Sequence, residues 1–294
     1  PAELERLHAV VAAREPDVAS ALAARYSSAI VGPADGQGSC GSFSQALAAI
    51  CESKYGVRFV LNKPVHQLVV EDGAVRGAMS RHGDDVETFD ADAVVVCAGA
   101  GTTALALTAG VYVPIQPLRG YSLTCPVHPS ISSESVRSHV IVRPFSLYMT
   151  RLGSSLRFTC YGELYPSPPH PSQDSSPAPP TASLVERLSS LVLYVLPDVD
   201  RFCDFKSAVA WHGSRPLTPD SHPIVGATCV PSLYINSGHG FNGWREAMHS
   251  AQVLAARLAG TDPPGDAYAS VYSITRFQPL PNMAKLRPAA KPAA

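Results

Sequence analysis

Two stretches of the chain carry three glycines at the spacing G-x-G-x-x-G: Gly36, Gly38 and Gly41 in "ADGQGSCGS", and Gly238, Gly240 and Gly243 in "SLYINSGHGFNG". Glycines at that spacing let an electron-rich group approach bare backbone amides at the positive end of a helix, which is how many chains hold the pyrophosphate of a dinucleotide. The chemistry needs context: a strand running into the first glycine, a helix opening near the third, and an acid closing the next strand. Around the first motif that context fails. The short apolar run 29–31 is broken by Gly32-Pro33, and proline has no amide for a ladder. The helix expected over 43–54 is followed by a strand over 57–61 that ends in Asn62-Lys63, with no carboxylate. These residues read as a turn at Asp35-Gly36 with Ser42 capping the helix.

Around the second motif, an expected strand over 232–236 leads straight into the glycines. The expected helix over 244–258 then places Trp244, Met248, Ala251, Leu254, Ala255 and Leu258 on one face, with Gly260 as its stop. The following "TDPPGDAYASVYSITRF" offers no parallel strand, so no βαβ unit closes. The residues describe a site for an electron-rich group rather than a stand-alone dinucleotide fold.

Other chemistries find no support. The chain has no H-E-x-x-H, G-x-S-x-G or P-loop pattern, and its seven cysteines form no C-x-x-C pair. An odd number of thiols without framework spacing reads as reduced cysteines in an intracellular compartment, cytoplasmic or mitochondrial, with no metal site. A formal net charge of -1 leaves no electrostatic footprint for nucleic acid. The 294 residues, 46% apolar and 16% charged, are enough for two globular domains.

The elements that position the glycines follow from periodicity. A helix is expected over 3–28. Residues 56–100 then give strand, strand, an Asp72-Gly73 hairpin turn, strand, a polar turn, strand and strand. Residues 93–115 carry no charge and could span a bilayer by length. Gly99, Gly101, Gly110 and Pro114 instead divide them into a strand, a short helix and another strand, and no transmembrane segment is expected. Residues 111–165 are β-rich. The stretch 165–182, "YPSPPHPSQDSSPAPPTA", is a Pro/Ser-rich insertion expected to be disordered, and beyond it a helix is expected over 183–196 and a strand over 206–212. The opening "PAELERLHAVVAAREP" is neither a secretory signal nor a transit peptide and looks like the middle of a longer chain.

Four ordered segments, "VVVCAGAGTTALAL", "VPIQPLRGYSLT", "HGSRPLTPDSHPIVGAT" and "LYINSGHGFNGWREAMHSAQVLAARLAG", with "DGQGSCGSFSQAL" before them, resemble the FAD-dependent D-amino acid oxidase superfamily, most closely its D-amino acid dehydrogenase small-subunit type. The resemblance implies an α/β fold plus a β-rich substrate domain, the C-terminal part of a two-domain FAD-dependent oxidoreductase (a GR2-like FAD domain with a mixed or antiparallel substrate sheet). It divides the chain into a partial FAD domain with a β-meander (1–110), a substrate sheet (111–214) and a return to the FAD domain (215–294). Nothing here matches the family's opening strand-GxGxxG-helix, so roughly a hundred preceding residues are expected to be missing. For the cofactor, FAD, the resemblance implies Val65 beside the adenine, Ala98, Gly99 and Ala100 at the return to the FAD domain, and Gly238, His239, Gly240, Phe241, Asn242 and Gly243 beside the flavin ring. His239 is open between a pocket role and a backbone-positioning one, and His222 reads as an ordinary turn residue. For the substrate, it implies Arg215 on the carboxylate, with Tyr121 and Tyr148 as candidates for a second hydrogen bond, for lining the pocket, or for ordinary core packing. The implied reaction is oxidative deamination of a D-amino acid, with a quinone or oxygen as electron acceptor and possible peripheral membrane association. A glycine or sarcosine-type amine oxidase and a truncated, non-catalytic homologue remain as alternatives.

Overall fold

The computed structural model of the chain describes residues 36–82, 85–131, 139–165, 182–196, 199–261 and 269–277. The expected helix over 3–28, the run 29–31, Asp35 and nearly all of the Pro/Ser-rich stretch lie outside the described residues. The chain divides into two units, one of residues 36–59, 119–163 and 182–213 and the other of 60–118, 164–165 and 214–277.

The second unit is built on two small sheets. Strands β1 (Val65–Glu71), β2 (Ala74–His82) and β3 (Asp85–Asp90) form an antiparallel meander, its first hairpin turning at Asp72-Gly73. Strand β4 (Val94–Val96) is followed by the short helix α2 (Thr102–Leu107), which is buried along nearly its whole length. The same unit holds β10 (Ile224–Ala227), β11 (Leu233–Ser237) and the helix α4 (Gly243–Leu258). Strand β11 pairs antiparallel with β10 and parallel with β4, so a purely local hairpin is joined to a strand more than a hundred residues earlier. Leu68, Val75, Val96, Leu105, Val113, Ile224, Leu233 and Ile235 fill the core between the meander, α2 and this sheet. Val253 and Leu254 of α4 pack with Val225 and Tyr272.

A five-stranded sheet is ordered β6-β7-β8-β5-β9, from β5 (Gln116–Pro126), β6 (Val140–Val142), β7 (Leu147–Leu152), β8 (Ser155–Leu164) and β9 (Val209–Leu217). The first unit is built on it, while residues 116–118, 164 and 214–217 at the strand ends belong to the second unit. Strand alternation decides its faces. Tyr121, Leu123, Cys125, Leu147, Met149, Leu156, Phe158 and Cys160 point into one core, which Leu188, Val192 and Val195 of the amphipathic helix α3 (Ala182–Val195) complete. Helix α1 (Cys40–Tyr55) belongs to this unit and buries none of its residues.

Several expectations need correction. The apolar run 57–61 is not a strand: no described strand offers it a ladder, and the residues are extended and exposed. The segment 111–115 is likewise no strand, although Val111, Val113 and Ile115 are buried, and the Val113 carbonyl is taken by the Thr103 hydroxyl at 2.7 Å. The strand expected over 206–212 begins only at Val209, because Asp204 caps a single 3-10 turn at Phe205–Ser207. Helix α1 is capped by Ser39 rather than Ser42: the Ser39 hydroxyl accepts the Ser42 amide at 3.3 Å. On α4, Leu254 of the expected face is buried, but Trp244, Met248, Ala251, Ala255 and Leu258 are exposed, and the buried stripe is Ser250, Val253 and Leu254. Among the described residues no helix is long and apolar enough to cross a membrane.

Candidate flavin-facing turn

The two glycine motifs separate on backbone geometry. In the first, Gly36 and Gly41 have no positive φ; a Cβ on Gly36 would meet nothing within 4 Å, and one on Gly41 only the Ser39 hydroxyl at 3.9 Å. Glycine is not required at either of these two positions. In the second, Gly238 has φ +80 and a Cβ on it would lie 2.6 Å from the Thr218 methyl. Gly240 has φ +54, with the Leu217 side chain 3.3 Å from a Cβ position. Conformation demands glycine at both positions and space demands it at Gly238, as a backbone built for close approach does.

The end of β9 fixes this turn. Leu217 bridges to His239, and the Gly240 amide donates to the Pro216 carbonyl at 2.9 Å. That pairing carries Arg215 to the turn, with its guanidinium 5.4 Å from the centre of the Phe241 ring. The amides of Phe241 and Gly243 make no hydrogen bond among the described residues, and they sit where α4 begins. A helix start with free amides favours negative charge.

His239 points away from the turn. Its Nε2 lies 3.0 Å from the Ser250 hydroxyl, whose own proton goes to the Ala247 carbonyl at 3.0 Å. Ser250 can therefore only accept, which assigns the proton of the histidine to Nε2. Burial pushes the pKa of His239 down, so the ring is neutral and ties the turn to α4.

Ala98 and Gly99 reach the same place through Ser237, the last residue of β11. The Ser237 hydroxyl donates to the Gly99 carbonyl at 3.2 Å and receives the Thr102 hydroxyl at 2.9 Å. Sequence reading missed Ser237 and Thr102, because neither carries a local signal and their bond spans 135 residues. Val65 opens β1 and packs against the core below, without a bond that ties it to the turn. His222 is a turn residue as expected. Its Nδ1 lies 2.8 Å from the Asp220 carbonyl, and Asp220 pairs with Arg276 at 2.6 Å.

The two tyrosines part company in the other unit. Tyr121 is buried on the core face, and its hydroxyl donates to Glu163. Burial, then the Glu163 hydrogen bond, push its pKa up. A phenol has one proton, and here Glu163 takes it. Tyr148 alternates with the core residues Leu147 and Met149, so it lies on the opposite face and is exposed. The first glycine motif instead borders an open cleft of about 620 Å³ with Arg151, Arg157 and Thr124. Among the described residues no cluster of His, Cys, Asp and Glu could hold a metal ion.

The family model of FAD-dependent oxidoreductases matches residues 1–257. The chain belongs to the FAD-dependent oxidoreductase family. Among curated relatives, it is similar to the D-amino acid dehydrogenase of Rhizobium johnstonii, 34% identical over 83% of this chain and 54% of that protein. It also matches the D-amino acid dehydrogenase of Cereibacter sphaeroides, 35% identical over 78% of this chain and 48% of that one. It thus spans about half the length of the curated relatives it matches. Its fold is similar to that of L-proline dehydrogenase from P. horikoshii (TM-score 0.62, 18% identity, 80% of this chain and 59% of that one). Glycine oxidase from Geobacillus kaustophilus is similar as well (TM-score 0.62, 19% identity, 79% of this chain and 57% of that one). The mixed α/β architecture with antiparallel sheets agrees with that fold.

The turn fits the family's cofactor. Gly238 leaves no room for a side chain, two of the turn's amides make no hydrogen bond among the described residues, and its half-buried histidine is neutral.

Proposed function

We propose that this chain is the substrate-binding and flavin-facing part of an enzyme that oxidises a D-amino acid to a 2-oxo acid and ammonia. The observation that carries this is the pairing of Arg215 with the crowded glycine turn, through Phe241, in a family member similar to D-amino acid dehydrogenases. FAD, when bound, supplies the hydride acceptor. The Gly238–Gly243 turn would lie against it, and the start of α4 would stabilise negative charge as the flavin is reduced. Arg215 would hold the substrate carboxylate with a planar fork that stays charged at any working pH, fixing the Cα hydrogen for transfer. His239 holds the turn through Ser250. Of the two tyrosines, Tyr148 keeps its hydroxyl available to a ligand, whereas Tyr121 serves its own unit through Glu163. The electron acceptor is a quinone or oxygen.

The test is anaerobic addition of a panel of D-amino acids to flavin-loaded protein, read as loss of the flavin's visible absorbance, in wild type and Arg215→Lys. Bleaching by D-amino acids, with KM raised at least about tenfold in the lysine variant, is the expected result, since a point charge replaces a two-pronged hydrogen bond. Unchanged kinetics in Arg215→Lys would remove Arg215 from the site, and flavin that no amino acid bleaches would refute the reaction. Reoxidation by oxygen against a quinone-like dye then separates the two acceptors.

A further inference from the structure

The core of the five-stranded unit contains three cysteines, Cys125, Cys160 and Cys203, all buried. Two of them meet. Beyond the end of β5, Val127 bridges antiparallel to Cys203, with the Asp204 amide donating to the Pro126 carbonyl and the His128 amide to the Phe202 carbonyl, each at 2.9 Å. That ladder puts residues 125, 127, 203 and 205 on one face, one step apart. The Cys125 and Cys203 thiols meet across it, and the Cys203 thiol donates to the Val199 carbonyl at 3.6 Å. Cys160, equally buried in the same core, has no sulfur partner among the described residues.

We propose that Cys125 and Cys203 form a redox site, a dithiol that hydroperoxides convert to a disulfide joining the end of β5 to the segment that follows α3. The chemistry is asymmetric. The Cys203 hydrogen bond pulls the Cys125 pKa down against the effect of burial, while its partner's hydrogen bond and burial push Cys203 up. The Val199 carbonyl holds the Cys203 proton at 3.6 Å, and Cys125 is the sulfur that attacks. It breaks the O–O bond of hydrogen peroxide and becomes a sulfenic acid, and the displaced hydroxide takes up the thiol proton and leaves as water. The Cys203 sulfur then displaces the sulfenic hydroxyl, which takes the second thiol proton and departs as a second water. Two thiols are oxidised by two electrons in total and one peroxide is reduced by two. Burial excludes bulky disulfide oxidants, while hydrogen peroxide is little larger than water. Cys160, held by burial at a pKa of about 11 and without a sulfur partner among the described residues, has neither the thiolate nor the resolving thiol.

The test treats the folded chain with hydrogen peroxide, quenches it, alkylates all free thiols under denaturing conditions and maps the peptides by mass spectrometry. The expected map shows a Cys125–Cys203 linkage that dithiothreitol reverses, with Cys160 alkylated. Cys203→Ser should abolish the linkage, and Cys160→Ser should leave it intact. Full alkylation of Cys125 and Cys203 after treatment would overturn the proposal. So would linkage of either one to a different cysteine, or over-oxidation of Cys125 without a linkage. Because the wild-type map decides between these results, the proposal stays testable even if a buried serine impairs folding.

Discussion

The geometry of Gly238 allows a worked prediction. Replacing it with alanine imposes two separable penalties. Holding a residue with a Cβ at φ +80 costs about 1–2 kcal/mol. The new methyl would also stand 2.6 Å from the Thr218 methyl, an overpacking of roughly 1–3 kcal/mol in a buried site. Restricting the unfolded chain returns about 0.4–1 kcal/mol, leaving a net loss of about 1–4.6 kcal/mol. Thr218→Ser removes the offending methyl and keeps the hydroxyl that donates to the His222 carbonyl at 2.8 Å. That change alone costs about 1 kcal/mol of buried methyl. The double variant should recover the steric share but not the backbone share, giving a favourable coupling of about 1–3 kcal/mol. Gly260→Ala is the control, with φ +68 and nothing within 4 Å of the new Cβ, so it should show the backbone penalty alone. The assay is denaturant unfolding of all four variants with m-values compared. A Gly238→Ala protein as stable as Gly260→Ala, or a coupling near zero, would refute the reasoning that this turn is crowded.

Other predictions concern charge and hydrogen bonding. Burial alone would raise the Asp220 pKa, but the Arg276 hydrogen bond and the His222 amide outweigh it and hold the carboxyl at about 2. Its contribution is present above the unfolded carboxylate pKa and is lost as pH falls from about 4 to about 2. Asp220→Asn should flatten stability against pH in that window, by less than about 1 kcal/mol because the pair is partly solvated. The depressed pKa of His239 works the other way from a paired histidine. Its neutral form is the folded one, so stability is full above the ordinary histidine pKa and declines as pH falls below it. His239→Gln should remove that decline in unfolding experiments across the window; an unchanged acid dependence would place the titration elsewhere. Tyr121→Phe should cost at least about 0.5–1.5 kcal/mol of stability with turnover unaffected, since the hydroxyl's bonds to Glu163 and Arg119 are lost. Tyr148→Phe should leave stability within about 0.5 kcal/mol, as expected for an exposed position.

Legibility in the sequence follows the range of the interactions. The β11-turn-α4 unit could be read because everything that makes it is local: a strand, three glycines and a helix within 26 residues. The hairpin at Asp72-Gly73 could be read for the same reason. The strand at 206–212 slipped because Asp204 offers the backbone a competing turn, a choice that apolar alternation does not register. The run 57–61 has strand-forming residues, yet a strand exists only if another strand pairs with it, which is not a property of the run itself. The site shows the same division most clearly in its tyrosines. Both sit in β-strands and both have the chemistry to hold a carboxylate, and no propensity distinguishes them. What distinguishes them is parity: Tyr121 shares its face with Leu123 and Cys125 against α3, and Tyr148 falls between Leu147 and Met149 on the other side. Parity relative to a core is fixed by which face the helix covers, a long-range fact. The same holds for Ser237, whose hydroxyl joins Gly99 to the glycine turn across 138 residues. A glycine motif can therefore announce a turn, but whether that turn can take a ligand is decided by distant residues such as Thr218 and Ser237, which crowd the glycine and tie the loops together.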